Sequence, residues 1–410
     1  MTPFSVIFGS IFFYLTVWLV SPVEVKYSPS VEAILLLLIG QLSLIIGWMS
    51  CRIFVPPSAR PVKVELTDSY LRSLRAAFKI LLLLAVLSVF FKFVDKVLVR
   101  DVLSYGSAAE RRYSLESTSI FGILAGPFYA LCLSLPAFVT VLNLKGLSKL
   151  FVIILFFVPA VEILFIGSRG IVLVTLFILF FYTRFVFKVK MLSVALLSAV
   201  GITLFYVSGM ILLNRLEAHG ISPLYSAFHS NYAFTLVPSS FGEKLAEDGG
   251  IFSVFYFVVI NFAQYYLHGA LEFSFLFDNF EQYDHKFGIY TFSVIAKFFG
   301  VSVGPDFLES ASPRSGIYTT ILGPLWVDFG FFAFLFLALW GRAMTVCYYK
   351  FCSGNIEYLP LYAYMSAVVF FAPVVNLIQS ALGVYILVSF FTTIFLVKIF
   401  KRRFRPIPNE

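Results

Sequence analysis

Long uninterrupted apolar runs constrain this chain more than any other feature. They cover 4–20, 31–50, 76–94, 119–142, 150–166, 170–183, 191–213, 324–345, 359–375 and 380–398. A hydrocarbon core about 30 Å thick is crossed by about 20 apolar residues in a helix. Backbone groups in lipid must be satisfied within the segment, so runs of this length become helices. Composition agrees: 60% of residues are hydrophobic and 13% charged, against roughly a quarter charged in soluble domains. The sequence predicts an all-α, polytopic membrane helix bundle of about ten helices, a single membrane domain over 1–410. It shows no internal repeat, low-complexity stretch or independent soluble domain. Phe4 to Val20 has no basic residue before it and no small-x-small site after it, and reads as a retained helix.

Orientation follows from the basic residues. In this topology segments 51–79, 143–149, 184–190, 342–358 and 398–410 share one side, with 18 of the 30 Lys and Arg and 4 of the 22 acids. The longest segment on the other side, 214–323, carries 10 acids and 5 bases. The basic side is expected to be cytoplasmic, with both termini on it. The net charge of +8 is thereby topological, not a nucleic-acid surface. Cys51, Cys132, Cys347 and Cys352 follow no metal or disulfide spacing.

Segment 214–323 is the large outer-face element. Within it 251–267 carries no charge and 287–303 carries only Lys297. If both crossed, the link between them would be cytoplasmic, yet it holds Glu272, Asp278, Glu281 and Asp284 against Lys286. That sign favours interfacial or re-entrant helices on the outer surface.

Three carboxylates fall inside the expected spans: Glu32, Glu162 and Asp328. Ionisable groups there cost about 2.5–3.5 kcal/mol on insertion scales and face polar surroundings. Glu32 sits at a helix end and reads as solvated. Glu162 lies seven residues before Arg169 and would share its helix face; an ion pair between them is the plain reading. Asp328 follows Pro324 by one turn, where a helix dipole favours a carboxylate. The tight connection Gly167-Ser168-Arg169-Gly170 holds an arginine at the mouth of the bundle. A guanidinium there either forks onto phosphate oxygens or merely snorkels. All four histidines, His219, His229, His268 and His285, lie in the outer segment without zinc spacing.

Three features resemble the Wzy-type oligosaccharide repeat-unit polymerases, inner-membrane enzymes that build O-antigen and related polysaccharides. One is "GSRGIVL", in which Arg169 is followed four residues on by Leu173, similar to an outer-face arginine motif of the related O-antigen ligases. The second is "YTTILGPLWVDFGFFAFLFLALWG" at 318–341. The third is the large outer segment between early and late helix groups. The ligases also carry a histidine followed eleven positions later by glycine; no histidine here is, which favours polymerase over ligase.

The resemblance implies a GT-C-like membrane glycosyltransferase in a bacterial inner membrane, with 214–323 periplasmic. Its substrates would be undecaprenyl-diphosphate-linked oligosaccharides, with no metal or cofactor because the diphosphate is already a leaving group. Arg169, Arg215 and Arg314 are the candidate diphosphate ligands. His268, Glu272, Asp306 and Asp328 are the candidate bases for the acceptor hydroxyl. Partners would be the bilayer and a membrane chain-length regulator, with no nucleic acid. A flippase for the same lipid-linked sugars is the principal rival. Such transporters often show duplicated halves, and none is visible here.

Overall fold

The computed structural model describes residues 1–54, 67–105, 119–166, 170–187, 206, 210, 220, 222–247, 251–314 and 316–404. In chain order its elements are α1 (Pro3–Val20), β1 (Val23–Val25), α2 (Val31–Phe54), α3 (Asp68–Phe93) continued by a π turn (Val94–Val99), α4 (Ile120–Tyr129), α5 (Gly146–Ile166) and α6 (Gly170–Phe185). Segment 214–323 supplies α7 (Pro223–His229), β2 (Leu236–Pro238), α8 (Ser240–Glu247), α9 (Ile251–Asp278), α10 (Ser293–Phe298) and α11 (Pro305–Glu309). Helices α12 (Leu322–Phe329), α13 (Phe332–Cys352), α14 (Leu359–Phe370) and α15 (Ala381–Arg403) follow. The protein is an all-α membrane helix protein. Among the described residues six helices are long and apolar enough to cross a bilayer: α1, α2, α3 with its π turn, α4 with its following turns, α13 and α15. Apart from residues 206 and 210, the expected span 191–213 lies outside the described residues.

Two of the differences from the sequence reading have a local reason. The run 324–345 is not one helix. It breaks at Gly330, whose φ of 52° is open to glycine, and the long helix starts at Phe332. A Cβ on Gly330 would also stand 2.9 Å from Nε2 of His285. The run 119–142 is α-helical only to Tyr129 and then tightens into 3₁₀ turns over Ala130–Leu133 and Leu135–Phe138. Pro127 and Pro136 remove donors that an α-helix would use, and the Ser389 hydroxyl donates to the Pro127 carbonyl at 2.8 Å.

The chain forms two compact units. The first comprises Met1–Phe54, Leu197–Ala343 and Val368–Ala381. Here α2 meets α13 through glycines: a Cβ on Gly47 would enter the Ala338 carbonyl, and one on Gly341 the Leu44 carbonyl. Small residues let membrane helices approach backbone to backbone. β1 pairs antiparallel with β2, Val23 opposite Pro238 and Val25 opposite Leu236, and so ties the α1–α2 connection to segment 214–323.

Helix α9 runs 28 residues through Asp278, past the end of its apolar stretch. Tyr14 donates to the Leu267 carbonyl at 3.3 Å, the Ser30 N–H to Ser274 Oγ at 2.9 Å, and Tyr27 to Asp278 at 2.6 Å. All three partners lie on the later turns of α1 or in the connection to α2. A helix of this length is about 42 Å long, and its Ala263–Leu271 stretch packs with Val17 of α1 and Leu236 of β2 in one buried cluster. The stretch 287–303 contains only the six-residue α10, far short of the length needed to cross.

The second unit comprises Val55–Leu196, Met344–Ala367 and Leu382–Glu410. Tyr182, Phe181, Phe138, Phe156, Tyr362, Tyr364 and Phe390 are fully buried in it. Tyr182 donates to the Leu133 carbonyl at 2.7 Å. At one end buried Glu357 accepts from Tyr70 at 2.6 Å and from Lys401 at 3.1 Å. Glu162 pairs with Lys96 and accepts from Tyr129; Arg169, its expected partner, lies outside the described residues.

The glycine contact predicts a selective sensitivity. Gly47→Ala and Gly341→Ala should prevent folded protein from accumulating, whereas Gly9→Ala, which meets nothing within 4 Å, should not. Size-exclusion profiles of detergent extracts at matched expression check this.

Candidate functional site

Three polar side chains recur every four residues along α9: Gln264, His268 and Glu272. Residues at this spacing share a helix face, and here the face is buried, with exposures of 0%, 0% and 1%. Buried polar groups need partners, and segment 214–323 supplies several of them. Gln264 Nε2 donates to the carbonyls of Ala227 at 2.8 Å and Leu236 at 2.9 Å, fastening α7 and β2 to α9.

Glu272 Oε1 accepts from Arg314 Nη1 at 2.8 Å, and Arg314 Nη2 donates to the Asn231 carbonyl at 2.9 Å. The guanidinium carbon stands over the Phe234 ring, 4.0 Å from its centroid. Carboxylate, carbonyl and ring thus fix the plane of Arg314, while 21% of its side chain stays accessible. Two of its five N–H donors are engaged by these contacts.

His268 sits one turn before Glu272, with its ring 4.4 Å from Tyr232 and 6.0 Å from Tyr265. Its Nδ1 is 3.0 Å from the Gln264 carbonyl. A carbonyl only accepts, so Nδ1 carries the proton and Nε2 presents its lone pair. That Nε2 is buried with no hydrogen-bond partner. Tyr318 stands edge-on to Tyr265 at 6.1 Å. The result is a desolvated imidazole acceptor, a pinned guanidinium with an open edge, and tyrosine faces around both.

Helix α9 is not among the six candidate spans, and burial sets the protonation of this face. It pushes the His268 imidazole down to about 4, so the ring is neutral at physiological pH. Burial also pushes the Glu272 carboxyl up to about 7, against the opposing pull of Arg314 and Thr235. A carboxyl raised from 4.5 in this way stabilises the fold fully at acid pH. That contribution is lost as pH rises through about 7.

The other residues singled out in the sequence lie in different surroundings. Asp328 is fully buried and accepts from the N–H groups of Tyr290 at 3.0 Å and Thr291 at 2.6 Å; it holds the 286–291 stretch to the end of α12. Asp306 is exposed on the five-residue α11, and the contacts joining His268, Glu272 and Arg314 do not include it. Arg169, Arg215 and His219 lie outside the described residues. His229 stacks on Tyr225 at 3.8 Å, and His285 Nδ1 approaches the Val327 carbonyl at 3.3 Å. Among the described residues no three of His, Cys, Asp and Glu converge as a metal site.

Sequence reasoning named His268, Glu272 and Arg314 but not their company: Gln264, Asn231, Tyr232, Phe234, Tyr265 and Tyr318. The four-residue spacing of Gln264, His268 and Glu272 in an apolar helix was the available signal. No family profile, curated protein or solved structure matches this chain. A functional reading therefore rests on the residues and their geometry.

The protonation of Glu272 is directly observable. Lowering the pH from about 8 to about 6 should bring up a protonated-carboxyl infrared band that is missing in Glu272→Gln. An identical pH-difference spectrum in that variant would place the titration elsewhere.

Proposed function

We propose that this chain is a membrane glycosyltransferase that polymerises undecaprenyl-diphosphate-linked oligosaccharide repeat units into O-antigen-type surface polysaccharide. The observation that carries the proposal is the α9 site: a pinned arginine and a neutral, unpartnered imidazole on one buried polar face at the end of an apolar helix hairpin. The reading also draws on the Wzy-type resemblance at 167–173 and 318–341. In it the bundle has ten spans and a GT-C-like layout, both ends cytoplasmic, and the α9 face periplasmic at the inner membrane. The basic-residue asymmetry supports that orientation.

Each residue then has a role. The acceptor sugar hydroxyl gives its proton to His268 Nε2 as its oxygen attacks the anomeric carbon of the donor glycan. The bond from that carbon to the diphosphate oxygen breaks, and the electron pair leaves with the lipid diphosphate. Arg314 stabilises the charge that develops there, because its plane is fixed before the ligand arrives. Glu272 is a positioning residue: it holds the guanidinium and does not touch the reacting atoms. Arg169 and Arg215 complete the proposed diphosphate ligands. Tyr232, Tyr265 and Tyr318 offer faces to the sugar rings, whose C–H surfaces are apolar.

Cells lacking the protein should accumulate lipid-linked single repeats on the periplasmic face, with at most one repeat reaching the surface. Trapping of those repeats on the cytoplasmic face would identify a flippase and reject this reading.

Within the site, Arg314→Ala should reduce long polymer by roughly ten- to a hundredfold at matched protein level, the loss expected for one or two charge-assisted contacts. Arg314→Lys should recover only part, because a point charge cannot fork onto two oxygens. Normal polymer from Arg314→Ala would remove it from the site.

A further inference from the structure

The second unit holds a separate charged cluster at the end of α3. Lys92, Lys96 and Arg100 follow one another at four-residue intervals. In a regular α-helix, residues four apart drift about 40° around the axis. Here the chain passes into a π turn over Val94–Val99. Its i→i+5 bonding winds more slowly and takes back part of that drift, so the three cations keep to one face. π turns of this kind are frequent at functional sites.

The walls of the cluster come from α4 and α5. Lys96 pairs with Glu162, which also accepts from Tyr129. Arg100 Nε donates to Asp95 at 2.9 Å, and Asp95 also accepts from Ser119. Among the described residues two carboxylates thus face three cations. Lys92 has no carboxylate partner among the described residues; its ammonium lies over the Tyr129 ring, 5.8 Å from the centroid. The surface beside it is apolar and open: Phe90, Phe93, Leu98, Ile120 and Ile123 are all exposed. A half-buried ammonium left over at the end of a span, next to a hydrocarbon-facing wall, is arranged for an anion that carries its own apolar chain.

We infer that Lys92, Lys96 and Arg100, with Tyr129, form a seat for the phosphate headgroup of a lipid. The apolar wall formed by Phe93, Leu98 and Ile120 takes the lipid chain. Asp95 and Glu162 hold the cations in place when the seat is empty. This site is built from residues separate from the α9 face and does not depend on the polymerisation reading.

The test uses the full-length protein in nanodiscs of phosphatidylcholine with about one-tenth phosphatidic acid, read by native mass spectrometry of the lipid that survives gentle extraction. The expected result is retention of phosphatidic acid over phosphatidylcholine. Lys92→Gln should weaken that retention about tenfold, the effect of one charge-assisted contact. Lys92 lies outside the ion pairs, so this variant is expected to fold. Lys96→Gln combined with Glu162→Gln removes a pair together, leaving no buried charge uncompensated, and should lose retention as well. Excess inorganic phosphate should not displace the lipid. Equal retention of the two lipids, or unchanged retention in Lys92→Gln, would overturn the assignment. Displacement by inorganic phosphate would also overturn it, by identifying a free-anion site.

Discussion

In hydrocarbon an unpaired N–H or C=O has no water to turn to, and each costs several kcal/mol. Every irregular stretch of this chain near a span must therefore close on a partner from elsewhere in the sequence. The stretch between α14 and α15 does so through Ile321, whose N–H donates to the Ala372 carbonyl at 2.8 Å, and through Asn376, whose Nδ2 donates to the Ile321 carbonyl at 3.5 Å. The break between α12 and α13 is closed by Asp328 on Tyr290 and Thr291. These closures fix the places where the backbone can leave the helix.

The α9 site depends on the same constraint. Gln264, His268 and Glu272 would be costly on a helix face open to lipid. They are accommodated because α7, β2 and the 231–235 stretch fold over them and present carbonyls, a ring and Arg314. Breaking a buried ion pair by removing one partner commonly costs about 3–5 kcal/mol, so Glu272 and Arg314 also hold segment 214–323 together. Two atoms of this face, Gln264 Oε1 and His268 Nε2, are buried without a hydrogen-bond partner among the described residues. The proposed reaction uses this arrangement: the desolvated imidazole would accept a proton and the pinned cation would face an anion.

The sequence carried the helices well where hydropathy alone decides. α1, α2 and α15 begin within about a residue of the expected runs, since an apolar run has one outcome in lipid. It failed where a distant residue decides. The run 324–345 reads as continuous, because nothing local says that Gly330 takes a left-handed φ and that Asp328 is held by residues 37 and 38 positions earlier. The apolar stretch 251–267 gave no sign that the helix continues to Asp278, because its polar extension is stabilised by Tyr27, Ser30 and Arg314. The site was half visible. Arg314, His268 and Glu272 stood out as rare ionisable residues in an apolar chain. Their pairing across 42 positions, and the role of Asn231 and Phe234 in holding the guanidinium, are tertiary facts with no sequence signature.

The central claim is that this bundle joins lipid-linked repeats at a face built on α9. The most direct measurement reconstitutes the purified full-length protein in liposomes with a synthetic lipid-diphosphate-linked repeat unit and no nucleotide, and resolves the products by mass. The account predicts a ladder rising by one repeat per step, with one lipid diphosphate released for each bond formed. Substrate recovered intact, from protein shown to be folded and correctly inserted, would contradict it.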